Sequence, residues 1–168
     1  MSIKQNKGEW SELYAFFKLV HAKKVSGCYS NLEVNQPLEI ISFKFLSQND
    51  NSDIIISLSE KYAIIKNKLN TNTIPLEDYH NISVTTFNKI INGTGSFEIP
   101  EVVSFLERMF NPKVKSKNRI KRDLTIMISD YGLIENQYRG FSVKSYLGSA
   151  SSLLNASQAT NFTFQLKN

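Results

Sequence analysis

The chain has 168 residues, of which 41% are hydrophobic, so it can bury a core as one domain and is not disordered by composition. Its formal net charge of +5 permits an acidic polymer as a partner, although many ordinary proteins are equally basic. A single cysteine excludes an intrachain disulfide framework and a cysteine-rich zinc site.

The N-terminal region predicts an amphipathic helix over residues 8–25. Its hydrophobic side chains recur at helical spacing, at Trp10, Leu13, Phe17 and Val20. Glu9 falls in the first turn, where a carboxylate suits the helix dipole. No apolar signal segment precedes this helix and no apolar run reaches membrane-spanning length, so we expect an intracellular, soluble protein.

The middle of the chain predicts a hairpin and two further helices. Residues 38–46 and 52–59 are rich in β-branched and aromatic side chains and are separated by the turn-like SQNDN, which is typical of a hairpin. Residues 74–92 are predicted to be mostly helical. Residues 98–110 are predicted to form another helix, with Pro100 in its first turn.

A basic run and a final strand are predicted beyond these helices. Residues 113–122, KVKSKNRIKR, hold six Lys or Arg residues and no acid. Taken alone, such a run is more typical of a solvated loop than of a binding patch. Residues 160–166 alternate like a strand and the sequence stops almost at once, so we expect the chain to be part of a longer protein.

The segment RDLTIMISDYGLIENQYRGFSVKS, residues 122–145, predicts a second hairpin. Its apolar positions alternate along both strands, at Leu124, Ile126 and Ile128 and then at Phe141 and Val143. If both apolar sets pack in the same core, Asp123, Ser142 and Lys144 share the opposite surface.

Position along the hairpin selects between two candidate acids. A turn centred near residues 132–133 would set residue 123 opposite residue 143, with Asp123 within about 5–8 Å of Lys144. Asp130 has the other parity and lies roughly 23 Å from Asp123, at about 3.3 Å per residue. We therefore expect Asp123 to face the lysine, unless a bulge or a one-residue slip reverses the parity.

An acid facing a lysine on adjacent strands has two interpretations. The first is a cross-strand ion pair. The second is a metal-dependent phosphodiesterase site, in which Asp123 holds a hard cation such as Mg²⁺ and Lys144 offsets charge in the transition state. Such a site usually needs a second acid, and Glu9 would supply it if the first helix packs beside the sheet. His21 and His80 lack partners at metal-ligand spacing and are predicted to be structural or surface residues.

Four blocks of sequence resemble the HpaII-type restriction endonucleases in the same order. They are NKGEWSELYAFFKL, GTGSFEIPEVVSFLE, RDLTIMISD and GFSVKSYLGSASSLLNASQATNF. The similarity runs from about Asn6 to Leu166 and is thin between residues 26 and 90. Several blocks in one order are a more specific signal than the short S-V-K triplet alone.

The resemblance implies an α/β (α+β) fold of the PD-(D/E)XK nuclease type, with a mixed central β-sheet flanked by α-helices. It implies one nuclease domain over residues 1–168, as the N-terminal part of a longer enzyme, and Mg²⁺-dependent cleavage of double-stranded DNA at CCGG. By the family pattern, Asp123 and Glu9 would bind the metal and Lys144 would be the catalytic lysine. That pattern places an acid where this chain has Ser142, so the group that completes the metal shell is left open.

The resemblance also suggests DNA contacts on both sides of this hairpin. The basic run becomes a phosphate-contacting approach to the site, through Lys117, Arg119, Lys121 and Arg122. The later polar segment could contact phosphates through Ser149 and base edges through Asn155, Gln158 and Asn161. The alternative for this segment is a polar connection with a short helix.

The sequence therefore supports two functions of different class. The first is a type II restriction endonuclease acting on double-stranded DNA in the bacterial cytoplasm. The alternative is a truncated, catalytically inactive DNA-binding domain. No membrane partner is expected, and the oligomeric state is left open, with a homodimer as one candidate.

Overall fold

The structure is a computed structural model that describes residues 3–28, 34–45, 53–68, 70–110, 124–129, 136–143, 145 and 147. Its helices are α1 (Lys7–Ala22), α2 (Leu76–Asn92) and α3 (Pro100–Phe110). Its strands are β1 (Lys4–Asn6), β2 (Lys24–Cys28), β3 (Val34–Phe45), β4 (Ile54–Leu58), β5 (Tyr62–Lys66), β6 (Thr71–Pro75), β7 (Ser96–Glu98), β8 (Leu124–Ser129) and β9 (Tyr138–Phe141). In this described part, every helix is too short or too polar to cross a lipid bilayer.

A seven-stranded sheet forms the centre of the fold. Its strand order is β6-β5-β4-β3-β8-β9, with β2 also pairing with β3, and a separate pair joins β1 to β7. The predicted α+β class is confirmed. Between the described strands every pair is antiparallel, so the mixed strand directions that the resemblance implies are not seen in these residues.

Helix α1 confirms the first predicted helix and begins with a capping box. The Asn6 side chain accepts a hydrogen bond from the Glu9 N–H, and the Glu9 carboxylate accepts one from the Asn6 N–H. The helix ends at Ala22, before the predicted end at residue 25. Lys23 adopts a left-handed conformation (φ 55°) and the chain then enters β2.

The other predicted elements of the middle region are also confirmed. The first hairpin is β3 and β4, which pair antiparallel, and the two later helices are α2 and α3. Strand β5 was not predicted, although its buried residues alternate at Ala63 and Ile65. Five residues between polar turns carry too short a pattern to stand out from a loop.

The hydrophobic core lies between the helices and one face of the large sheet. On α1 the predicted stripe is buried, and the Phe16 ring lies 5.2 Å from the rings of both Phe43 and Phe45 on β3. Phe45 is the last residue of β3. Phe16 lies just past the middle of α1, so the middle of this helix is held at the end of the sheet where β3 finishes.

The second predicted hairpin is formed by β8 and β9, and its apolar face is confirmed. Leu124, Ile126 and Ile128 are buried, and Phe141 packs against the same core. The predicted register was wrong by one residue, because Leu124 pairs with Phe141. Directly opposed residues of an antiparallel pair share a face, so this register agrees with the apolar alternation better than the predicted one.

Candidate active site

One end of the sheet brings β8 and β9 close to the N-terminal half of α1. Lys44 pairs with Thr125 near the start of β8, and the end of β9 pairs with that start. Phe45, which follows Lys44, packs on Phe16 of α1. This corner therefore collects the elements that carry or adjoin the predicted acid, lysine and helical glutamate.

Hydrogen bonds join the segment after β9 to α1 at this corner. The Ser145 hydroxyl donates to the Ser11 hydroxyl at 2.9 Å, and the Ser11 hydroxyl donates to the Lys7 carbonyl at 2.7 Å. The Leu147 N–H donates to the Ser145 hydroxyl at 3.1 Å. Ser11 is only 4% exposed, so this contact is largely protected from water. Sequence reasoning missed it, since nothing local links serines 134 positions apart.

Glu9 occupies the first turn of α1 at the same end of the molecule. Its Oε2 atom accepts the Asn6 N–H at 3.0 Å, and its own N–H reaches the Asn6 side chain at 3.0 Å. The capping box thus fixes the direction of the carboxylate. The resulting negative charge lies at the positive end of the helix dipole, where it is stabilised.

A second carboxylate, Glu12, lies one turn further along α1. Glu12 is four residues before Phe16, so the rise of an α-helix places its Cα atom about 6 Å along the axis from the Cα atom of Phe16. Glu9 is three residues earlier, and its Cα atom lies about 10 Å along the axis from that of Phe16. Sequence reasoning assigned Glu12 no role. Its helical spacing from Glu9 was the available signal, because residues three apart lie on the same side of a helix.

The face of the sheet opposite the core carries a polar cluster that sequence reasoning also missed. The Lys44 Nζ atom is 2.6 Å from the Asp53 carboxylate and 5.7 Å from the centre of the Tyr138 ring. The Tyr138 hydroxyl lies 3.0 Å from the Ser42 hydroxyl. Alternation on β3 was the available signal, since Ser42 and Lys44 are two residues apart. The cluster adds a paired positive charge beside β8.

Ser142 lies directly after β9 and is exposed. The other predicted site residues on this hairpin, Asp123 and Lys144, lie outside the described residues. So do the predicted DNA contacts Lys117, Arg119, Lys121, Arg122, Ser149, Asn155, Gln158 and Asn161, and the strand at 160–166. The structure therefore gives the positions of Glu9 and Ser142, while the roles of all these residues stay predictions.

The described residues contain only part of a possible metal site. Carboxylate and hydroxyl oxygens, as in Glu9 and Ser142, are ligands of the kind that Mg²⁺ prefers. In the described ranges, however, no group of three His, Cys, Asp or Glu side chains could hold a metal ion. A complete shell would need a ligand from outside these ranges, which is what the prediction for Asp123 requires.

Away from this corner, His21 of α1 and His80 of α2 pack against each other, with ring centres 4.7 Å apart and ring planes tilted by 41°. Burial lowers the pKa of His21, the charges of His80 and Lys18 lower it further, and Glu77 opposes the shift. The two histidines therefore pack between helices, as the structural interpretation predicted.

We expect this pair to make stability depend on pH. Because the pKa of His21 is lowered on folding, the unfolded chain binds more protons as the pH falls below about 6.5, and the folded state loses stability. The melting temperature of the wild type should fall more between pH 7.5 and pH 5.5 than that of His21→Gln. Parallel melting curves for the two proteins would contradict this assignment.

Comparisons with known proteins add evidence from the sequence as a whole. A family model described as HpaII restriction endonuclease matches residues 6–168. The chain is 32% identical over 166 residues to the type II restriction enzyme HpaII of Haemophilus parainfluenzae. That alignment covers 97% of this chain and 46% of the relative, so the chain spans about half the length of the curated relative it matches. No solved structure matches the chain.

Proposed function

The chain belongs to the HpaII restriction endonuclease family. We propose that it functions as a type II restriction endonuclease that hydrolyses double-stranded DNA. The observation that carries the proposal is the family match over residues 6–168. We further propose CCGG as the recognition sequence and Mg²⁺ as the cofactor. A two-fold homodimer would suit a palindromic site, and the bacterial cytoplasm is the compartment where the proposed substrate occurs.

In the proposed mechanism, Asp123 and Lys144 act from neighbouring strands. The register of the residues beside them supports this, because Leu124 pairs with Phe141. Continued by one residue, the same register would set Asp123 opposite Ser142, with Lys144 on the same face. In this arrangement the lysine ammonium orients the attacking water and offsets negative charge that develops on the scissile phosphate.

Asp123 and Glu9 would hold the metal. When bound, Mg²⁺ supplies Lewis-acid polarisation of the scissile phosphate. Glu9 suits this role because its capping box directs the carboxylate and because α1 contacts the chain at the end of the sheet where β8 begins and β9 ends. The Ser142 hydroxyl contributes at most a weak oxygen ligand where the family pattern has an acid.

A cleavage assay tests the proposal directly. Duplex DNA that contains CCGG is incubated with the protein in Mg²⁺, and in parallel with EDTA or with a duplex in which the site is scrambled. Defined fragments should appear only with Mg²⁺ and the intact site. Binding that weakens steeply with salt, without cleavage at any metal concentration, would instead indicate a non-catalytic DNA-binding protein.

The basic run at 113–122 yields a separate prediction about binding. Replacing Lys117 or Arg119 by alanine should weaken binding of all duplex sequences alike. Each replacement should also reduce the slope of log K against log salt by about 1, because one phosphate fewer is neutralised by the protein. Fluorescence anisotropy over a series of KCl concentrations measures that slope in Ca²⁺, which should support binding while preventing cleavage.

The matched control for this prediction is Lys61→Ala. Lys61 is exposed and precedes β5, whose first residues pair with β4 at the end of the sheet away from Phe45. The Lys61→Ala substitution removes one positive charge, as the test variants do, but from a surface remote from the candidate site. An equal reduction of the slope in the control would show that the basic run has no special part in binding.

A further inference from the structure

The hydroxyl of Ser145 links the segment after β9 to α1 through a directed set of hydrogen bonds. Each serine hydroxyl has one proton to donate. The Ser11 proton goes to the Lys7 carbonyl, so Ser145 must be the donor in the contact between the two hydroxyls. The Ser145 oxygen in turn accepts the Leu147 N–H. The Ser145 hydroxyl therefore both donates and accepts a hydrogen bond.

This contact fixes the chain on one side of Lys144, and packing fixes it on the other. Val143 is partly buried against the hydrophobic core, and the Ser145 hydroxyl bonds to a buried serine on α1. A serine that bonds only to the carbonyl four residues back is common in helices and explains nothing beyond the helix itself. The bond from Ser145 is different, because it ties α1, with its candidate acid Glu9, to the segment that contains the candidate lysine.

We propose that the hydrogen bond between Ser145 and Ser11 is a positioning contact, which holds the backbone around Lys144 so that its ammonium group reaches the scissile phosphate. This inference rests on the proposed nuclease function. A lysine side chain is long and flexible, so its ammonium group samples a large region, and a fixed backbone limits that region to the surroundings of the site. A displacement of about 1 Å can cost about a hundredfold in rate when it misaligns reacting groups.

The test compares substitutions at position 145 in the intact protein. Ser145→Ala should lower kcat for cleavage of the CCGG duplex by about tenfold, with KM nearly unchanged, because binding does not depend on this lysine alone. Ser145→Thr keeps the hydroxyl and should restore most of the rate. Ser11→Ala should act like Ser145→Ala, and the double variant should be no slower than either, since both remove the same bond.

Ser83→Ala is the structural control. Ser83 is 1% exposed and donates to the His80 carbonyl on α2, so its replacement removes a buried helical hydrogen bond away from the corner. It should lower the melting temperature and leave kcat unchanged. If Ser145→Ala lowers the melting temperature and leaves kcat at the wild-type value, the contact is only structural and the inference is wrong.

A cross-linked variant covers the case in which the alanine variants do not fold. The two hydroxyl oxygens are 2.9 Å apart, so Ser11→Cys/Ser145→Cys places two thiols close together; the oxidised protein is used once loss of free thiols shows that the disulfide has formed, with the single variants as controls for pairing with Cys28. Cleavage should survive oxidation. Loss of cleavage that reduction restores would overturn the inference. A wild-type protein that fails to cleave with Mg²⁺ would instead overturn the proposed function itself, and the inference with it.

Discussion

Replacing Asp123 by asparagine or Lys144 by alanine is expected to lower the rate of Mg²⁺-dependent DNA cleavage by about a hundredfold to a thousandfold. The asparagine keeps the size of the side chain and removes the charge that holds a hard cation. The alanine removes the cation that offsets charge on the scissile phosphate, and single groups with this role are commonly worth a hundredfold to a thousandfold in rate, as an order of magnitude. The rate is measured under single-turnover conditions on a CCGG duplex.

These variants should keep their fold and most of their DNA affinity. In the sequence the two candidate residues flank the described hairpin, whose buried residues on β8 are Leu124, Ile126 and Ile128, and the alternation predicts that both lie on the opposite face. Circular dichroism and melting temperature therefore check folding. Anisotropy in Ca²⁺ checks that DNA still binds, so that a reduced rate reports on catalysis alone.

Asp130→Asn is the matched control for the choice of acid. Asp130 carries the same charge as Asp123, and the sequence alternation predicts that it belongs to the other face. It should cleave at close to the wild-type rate. If Asp130→Asn abolishes cleavage and Asp123→Asn cleaves at the wild-type rate, the strand assignment is reversed. If the Asp123 and Lys144 variants both cut at the wild-type rate, the assigned site is wrong.

The helices could be predicted from the sequence because their signals are local. Asn6 and Glu9 stand at capping-box spacing, and the apolar stripe that follows has helical period. The face of the second hairpin was predictable for a similar reason. With one side of a strand buried, apolar residues alternate, and the observed burial of β8 follows that alternation.

The rest depends on contacts that local patterns do not encode. The hairpin register was missed by one residue because turn composition does not set the number of residues in the turn. The contact of His21 with His80 and the bond from Ser145 to Ser11 both arise from the packing of α1 on distant elements. For the same reason, the sequence indicated that a second acid was needed at the site and could not show which acids the helix brings to the corner.

Glu9→Gln is expected to weaken divalent-metal binding by about a hundredfold, an effect of the size seen when groups that support a metal site are changed. Glutamine can replace glutamate in a capping box, so this change removes the charge while α1 keeps its cap. Isothermal titration with Ca²⁺ measures the affinity without cleavage. At limiting Mg²⁺ the cleavage rate should fall with it, and excess Mg²⁺ should restore part of the loss.

Two further variants separate the proposed metal role of Glu9 from its role in the cap. Asn6→Ala breaks the capping box, so it should cost about 1 kcal/mol of stability while metal affinity stays near the wild-type value. Glu12→Gln removes the same charge one turn along α1, about 5 Å along the helix axis, and should change metal affinity little. A strong effect of Glu12→Gln with none from Glu9→Gln would transfer the second acid to Glu12. The cap at Asn6 would then serve only to hold the helix end at the corner where Ser145 bonds to Ser11.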